Sequence, residues 1–167
     1  MLAALLCLAG CSGSSSGSDS SNEITGINEF TSVDLQGNEI TQDVFAEADV
    51  TMINFWGTYC GPCISEMPEL QKISEEYEGR AQVIGVVIDV DFDKPDSSEY
   101  QSALSILDEA GAKFRNIRPM GGLAEYMMNL QYVPTTIFVD NEGNIIGQPT
   151  VGADADRYRE RLDEYLG

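Results

Sequence analysis

The sequence predicts an α/β fold in which a central mixed β-sheet is flanked by helices, and three features carry that expectation. A buried-type strand, "VTMINFW" (Val50 to Trp56), runs straight into a helical pattern. A second continuous apolar run, "AQVIGVVIDV" (Ala81 to Val90), follows that helix and has the character of a strand buried on both faces, usual in parallel pairing. Further helical segments and a β-hairpin come after it, so antiparallel strands join the parallel ones and the sheet is mixed.

Each element has a local cause. "FTSVDLQGNEIT" (Phe30 to Thr41) reads as two short strands around Gln36-Gly37-Asn38, an N-terminal hairpin ahead of the main sheet. From Gly61 to about Tyr77, Ile64, Met67, Leu70, Ile73 and Tyr77 recur at helical spacing. Pro68 removes one backbone bond inside that helix and predicts a kink, and Gly79 suits its end. Residues 96–110 form a second helix with Ala103, Ile106, Leu107 and Ala110 turned inward, and a shorter helix covers about 121–129. "TTIFVDNEGNIIG" is a hairpin turning at Asn141-Glu142-Gly143, and "DADRYRERLDEYL" is a closing amphipathic helix.

The chain has 167 residues, enough for one domain with a sizeable core, here placed at 24–167. Its net charge of −19 repels phosphate backbones and argues against nucleic-acid binding; the scattered acids read as a solubilising surface. No histidine is present, which removes the commonest transition-metal ligand and any Ser-His or Cys-His nucleophile pair. Met120, Met127 and Met128 are expected to fill a core rather than bind metal. The opening "MLAALLCLAGC" is too short to span a bilayer, which takes about 20 residues, and fits the apolar core of a secretion signal over residues 1–10. "LAGC" (Leu8 to Cys11) resembles a bacterial lipobox, in which the signal is cut before the cysteine and the sulfur is lipidated. No Lys or Arg precedes the run. Residues 11–23 would then be the lipidated Cys11 and a Ser/Gly tether with a reach of roughly 18 Å.

With Cys7 lost and Cys11 lipidated, Cys60 and Cys63 remain in the domain. A structural zinc site wants four Cys or His ligands, so no metal is expected. A bridge over two intervening residues closes too small a loop to stabilise much. Redox chemistry explains the setting. Cys60 stands where a strand gives way to a helix opened by Gly61-Pro62, and unpaired N–H groups there favour its thiolate. Pro62 fixes the backbone that brings Cys63 within bonding distance. Cys60 is then the exposed attacking thiolate and Cys63 the shielded resolving thiol.

"WGTYCGPC" (Trp56 to Cys63) and "YVPTTIFVDNEG" (Tyr132 to Gly143) resemble the two landmarks of the thioredoxin superfamily, which implies a thioredoxin-like fold with Pro134 in a cis peptide after Val133, against the cysteines. "INFWGTYCGPCISEMP" is similar to the TlpA/ResA-like branch of membrane-attached, extracytoplasmic thiol–disulfide oxidoreductases. Asn54 stands where thioredoxin has a buried aspartate, and Glu66 where the branch often places an acid, one helical turn from Cys63. Tyr59 replaces a frequent tryptophan, and Trp56 is expected as a partly buried aromatic beside the site. The resemblance implies a monomeric, cofactor-free enzyme that reduces disulfides in exported proteins, on the outer face of a bacterial membrane, recharged by a CcdA- or DsbD-type membrane electron donor. A disulfide-introducing oxidase and a non-catalytic surface adaptor are the alternatives. The P-x-x-x-T-x-x-C pattern of thiol peroxidases is absent.

Overall fold

Val50–Trp56 forms strand β3, buried along its whole length, at the centre of the computed structural model, which describes residues 24–27 and 29–167. The signal segment, Cys11 and the tether lie outside the described residues. Ahead of β3 stand β1 (Thr31–Val33) and β2 (Glu39–Thr41), an antiparallel pair. After it come α1 (Gly61–Glu76), β4 (Ala81–Val87), α2 (Ser98–Glu109), β5 (Arg115–Ile117), α3 (Gly122–Met128), β6 (Thr135–Asp140), β7 (Ile145–Val151) and α4 (Ala155–Leu166). The main sheet has five strands in the order β5-β4-β3-β6-β7. β3 pairs in parallel with β4 and antiparallel with β6, so the sheet is mixed and the fold thioredoxin-like.

Alternation along β3 builds two cores. Met52 and Trp56 face a cluster with Met67, Leu70 and Ile73 of α1, Ala103 of α2, and Tyr158 and Leu162 of α4. Ile53 and Phe55 face a second cluster with Leu123 of α3 and the N-terminal residues Ile27, Phe30 and Phe45. Asn54 is the polar residue on the α1–α4 side, and it is fully buried. No helix among the described residues is long and apolar enough to cross a membrane.

Several expectations need correction. β4 stops at Val87 rather than Val90, because the chain turns off after Ile88 and Asp89 reaches back to Thr58. β5 and a 3-10 turn at Gln42–Glu47 were not anticipated; three residues, two of them the polar Arg115 and Asn116, are too few to show alternation. Met128 is 82% exposed and Met120 is 38% exposed, so neither fills a core. α1 holds Pro68 inside it, as the sequence indicates, at an exposed position.

Both hairpins use one turn. Asp34 Oδ1 accepts from the N–H groups of Gln36 and Asn38, and Oδ2 from the Asn38 amide; Asp140 does the same for Glu142 and Asn144. "DLQGN" and "DNEGN" place a glycine with positive φ, Gly37 and Gly143, at the same point of each.

Candidate active site

β3 delivers the chain to the redox site. Trp56 is its last residue and is fully buried, not partly as expected; its Nε1–H donates to Asn116 Oδ1 at 2.9 Å. Gly85 on β4 makes room for that bond, since a Cβ there would meet Asn116 Oδ1 at 2.0 Å. Past Gly57, Asp89 clamps the loop by accepting from the Thr58 N–H at 3.0 and 3.1 Å and from its hydroxyl at 2.6 Å.

Cys60 then caps α1 in an extended conformation, its Sγ accepting from the Cys63 N–H at 3.3 Å. Pro62 sits in the first turn, where its missing N–H leaves no bond unmade. Cys60 and Cys63 are joined in a disulfide with Cα atoms 5.2 Å apart. Cys60 retains 7% of its surface and Cys63 none, so Cys60 is the sulfur a partner can reach, though less exposed than expected. No acidic side chain stands in the first turn of α1 to compete with Cys60 for the helix N-terminus.

The Val133–Pro134 peptide is cis, and the Val133 carbonyl oxygen lies 3.5 Å from Cys60 Sγ. In the disulfide this is a contact; in the dithiol the Cys60 thiol can donate to it.

One helical turn past Cys63 lies a buried polar network from four elements. Glu66 of α1, 5% exposed, accepts from Asn54 Nδ2 of β3 at 2.9 Å and from the Tyr158 hydroxyl of α4 at 3.0 Å. The other Asn54 N–H donates to Thr136 Oγ1 of β6 at 3.0 Å, and Asn54 Oδ1 is buried without a partner. Burial raises the Glu66 carboxyl to about 7 against the lowering effect of the Asn54 and Tyr158 bonds. Burial and the nearby Glu66 charge push the Tyr158 hydroxyl above its ordinary value, while Thr136 opposes them.

The cleft beside the disulfide carries no charged side chain, while the Asp89 carboxylate stands at Thr58, two residues before Cys60. Tyr59 is 69% exposed and Tyr132 is 68% exposed, and both border a 140 Å³ cleft with Ile88, Met127, Leu130 and Val133. A larger cavity, 590 Å³, lies to one side between the end of α3 and β7 and shares Leu130, Gln131 and Tyr132 with that cleft. Neither is lined by a cysteine or by an Asp, Glu, Lys or Arg side chain. The smaller cleft reaches the reacting sulfur through Val133, whose carbonyl touches Cys60.

The structure thus brings Cys60, Cys63, Glu66, Val133 and Pro134 to one end of the sheet, with Gly61 and Pro62 exposed at the mouth of α1. Asp89, Asn116, Thr136 and Tyr158 were missed by sequence reasoning. Asp89, just past a strand carried by a parallel crossover back to the cysteine end, had a positional signal; Tyr158 had none.

The AhpC/TSA family model matches residues 25–148. The chain is 28% identical over 137 residues to the thiol-disulfide oxidoreductase ResA of Bacillus thuringiensis subsp. konkukian, covering 82% of this chain and 72% of that protein. Its fold is similar to that of the thiol:disulfide interchange protein DsbE from Chlorobium tepidum, with a TM-score of 0.68, 20% identity, and coverage of 86% of this chain and 96% of the other. It is similar too to the exposed lipoprotein thioredoxin of Streptococcus pneumoniae, with a TM-score of 0.60, 18% identity, and coverage of 81% and 98%. A cysteine pair at a helix N-terminus, on this fold and in this company, exchanges thiols for disulfides. The chain therefore belongs to the AhpC/TSA family, as a ResA-like thiol–disulfide oxidoreductase of the thioredoxin superfamily.

Proposed function

We propose that this protein reduces disulfides in exported proteins outside the cytoplasm, held to the membrane by lipid on Cys11. The observation that carries the reading is the placement of the Cys60–Cys63 disulfide: at the N-terminus of α1, with Cys60 the partly exposed sulfur, facing the Val133 carbonyl. In the dithiol form the Cys60 thiolate attacks one sulfur of a substrate disulfide, expels the other as a thiolate and leaves a mixed disulfide. Cys63 then gives up its proton and attacks the Cys60 sulfur. The second substrate thiolate departs, and two electrons have moved from the protein to the substrate.

Glu66 is the acceptor for the Cys63 proton in this scheme. It stands one turn along the same helix, and a carboxyl titrating at about 7 exchanges protons near neutral pH. A CcdA- or DsbD-type donor in the membrane restores the dithiol. "LAGC" before a Ser/Gly run supports the anchor, as does likeness to a lipoprotein thioredoxin.

The test is insulin reduction by the soluble domain with dithiol supplied. Turnover that disappears in Cys60→Ser supports catalysis; an inactive wild type leaves a non-catalytic adaptor. In cells, Cys63→Ser is expected to trap mixed disulfides with exported proteins, and a measured potential as oxidising as that of disulfide-inserting enzymes would reverse the direction. Cys11→Ser is expected to move the protein out of the membrane fraction, and a wild type already soluble in the cytoplasm would remove the anchor.

A further inference from the structure

Tyr158 reaches the network from the last helix, 92 positions after Glu66, and its hydroxyl has one proton for two acceptors. Glu66 Oε2 lies 3.0 Å away, and the Gly152 carbonyl oxygen also lies 3.0 Å away. The Gly152 N–H donates in turn to the Pro134 carbonyl at 2.8 Å. A chain of contacts thus runs from Glu66 through Tyr158 and Gly152 to the cis-proline loop, whose Val133 carbonyl touches Cys60. Gly152 holds a φ of +92°, where a side chain would be strained, so the glycine fits this connection.

We propose that Tyr158 is a positioning residue for Glu66: its hydroxyl proton turns to Glu66 when that carboxyl is charged and to the Gly152 carbonyl when it is neutral. Proton counting leads to this assignment. With Glu66 ionised, Oε1 accepts from Asn54 and Oε2 from Tyr158, and the Gly152 carbonyl does without the hydroxyl. With Glu66 protonated at Oε2, Glu66 donates to the Tyr158 oxygen and Tyr158 donates to Gly152, so both contacts become hydrogen bonds. No proton is created or lost beyond the one Glu66 takes up.

The titratable groups facing Glu66 are Cys63, on its own helix, and Tyr158; β3 and β6 present only the neutral Asn54 and Thr136. None of the ion pairs among the described residues includes Glu66. The charged carboxylate therefore depends on two neutral donors. Removing Tyr158 Oη takes a charge-assisted bond from the carboxylate but only neutral ones from the acid, one of them to the carbonyl of the part-exposed Gly152, so the proton on Glu66 is then held to higher pH.

The inference rests on the reading of Glu66 as the Cys63 proton acceptor only for its catalytic consequence, and the two are tested separately. In the oxidised protein carrying ¹³C-labelled glutamate, Tyr158→Phe is expected to raise the Glu66 titration midpoint by up to about one pH unit, the margin of a charge-assisted hydrogen bond over a neutral one. Site-specific 3-fluorotyrosine at position 158, a stronger donor of nearly the same shape, is expected to lower it. That second arm keeps the test open should the phenylalanine variant not fold. An unmoved midpoint in either folded protein overturns the assignment, whatever happens to stability. In stopped-flow resolution of a preformed mixed disulfide, Tyr158→Phe is expected to shift the pH profile to the alkaline side, up to about tenfold slower on its acid limb with its plateau kept. Should Glu66→Gln leave that profile unchanged, the kinetic role of Glu66 fails while the midpoint result still judges Tyr158.

Discussion

Glu66 titrates near 7 because burial penalises its charge and only neutral donors, Asn54 and Tyr158, offset that penalty. The native state therefore holds a proton that the unfolded chain releases at ordinary carboxyl pH. The stabilisation is complete below the unfolded value and is lost as pH rises to about 7. Glu66→Gln removes this slope. Chemical denaturation at pH 5 and pH 8 is expected to show the wild type losing stability relative to the variant, by up to about 3 kcal/mol for a shift of this order. Equal slopes would mean a solvated, ordinary carboxyl. Cys60 is set by a different field, the N–H groups opening α1. Alkylation of the dithiol at mildly acidic pH is expected to modify Cys60 far faster than the fully buried Cys63. Equal rates would remove the division into attacking and resolving thiol. Cys60, Cys63, Glu66 and Pro134 are legible in the sequence because short motifs hold them. Tyr158 is not, because only the folding of α4 over the sheet brings it to Glu66.

Among elements, the long ones announce themselves and the short ones do not. β3, α1, α2 and α4 carry enough residues for a period to repeat, while β5 exists through its neighbours: β4 on one side, and the bond from the Leu35 N–H to the Asn116 carbonyl on the other. The twin turns stand in the sequence as "DLQGN" and "DNEGN", but the pattern there marks only Gln36-Gly37-Asn38 and Asn141-Glu142-Gly143 and leaves the aspartates without a role. Their capping carboxylates become evident when both sets of bonds are seen together. Gly85 shows the converse case, a strand residue whose meaning lies in another element's side chain. Gly85→Ala is expected to cost about 1–3 kcal/mol by overpacking and by breaking the Trp56–Asn116 bond. The single tryptophan of the chain reports on it, so denaturation followed by Trp56 emission checks both effects. Unchanged stability and emission would show that Asn116 can move aside.

At the scale of the molecule, the mixed sheet follows from the sequence of strands and helices, a crossover followed by a hairpin, while the strand order and the two cores come only with the pairing. The distribution of charge over the folded surface was not legible, because the acids are scattered along the chain and only folding sorts them. The body carries −19, yet the clefts beside the disulfide present no Asp, Glu, Lys or Arg side chain. Encounter and reaction are consequently governed by separate forces. At long range the whole anion selects what approaches, and at contact the clefts, free of charged side chains, are indifferent to sign. Acidic substrate proteins are expected to be reduced faster as salt is added, and basic ones more slowly, over a range where the Debye length shrinks from about 30 Å at 0.01 M to about 8 Å at 0.15 M. An uncharged disulfide peptide is expected to be insensitive, so the ratio of its rate to those of the charged substrates measures the steering directly. Ionic strength would then act as a selector of clients, favouring cationic unfolded chains in dilute surroundings and relaxing that preference in brine.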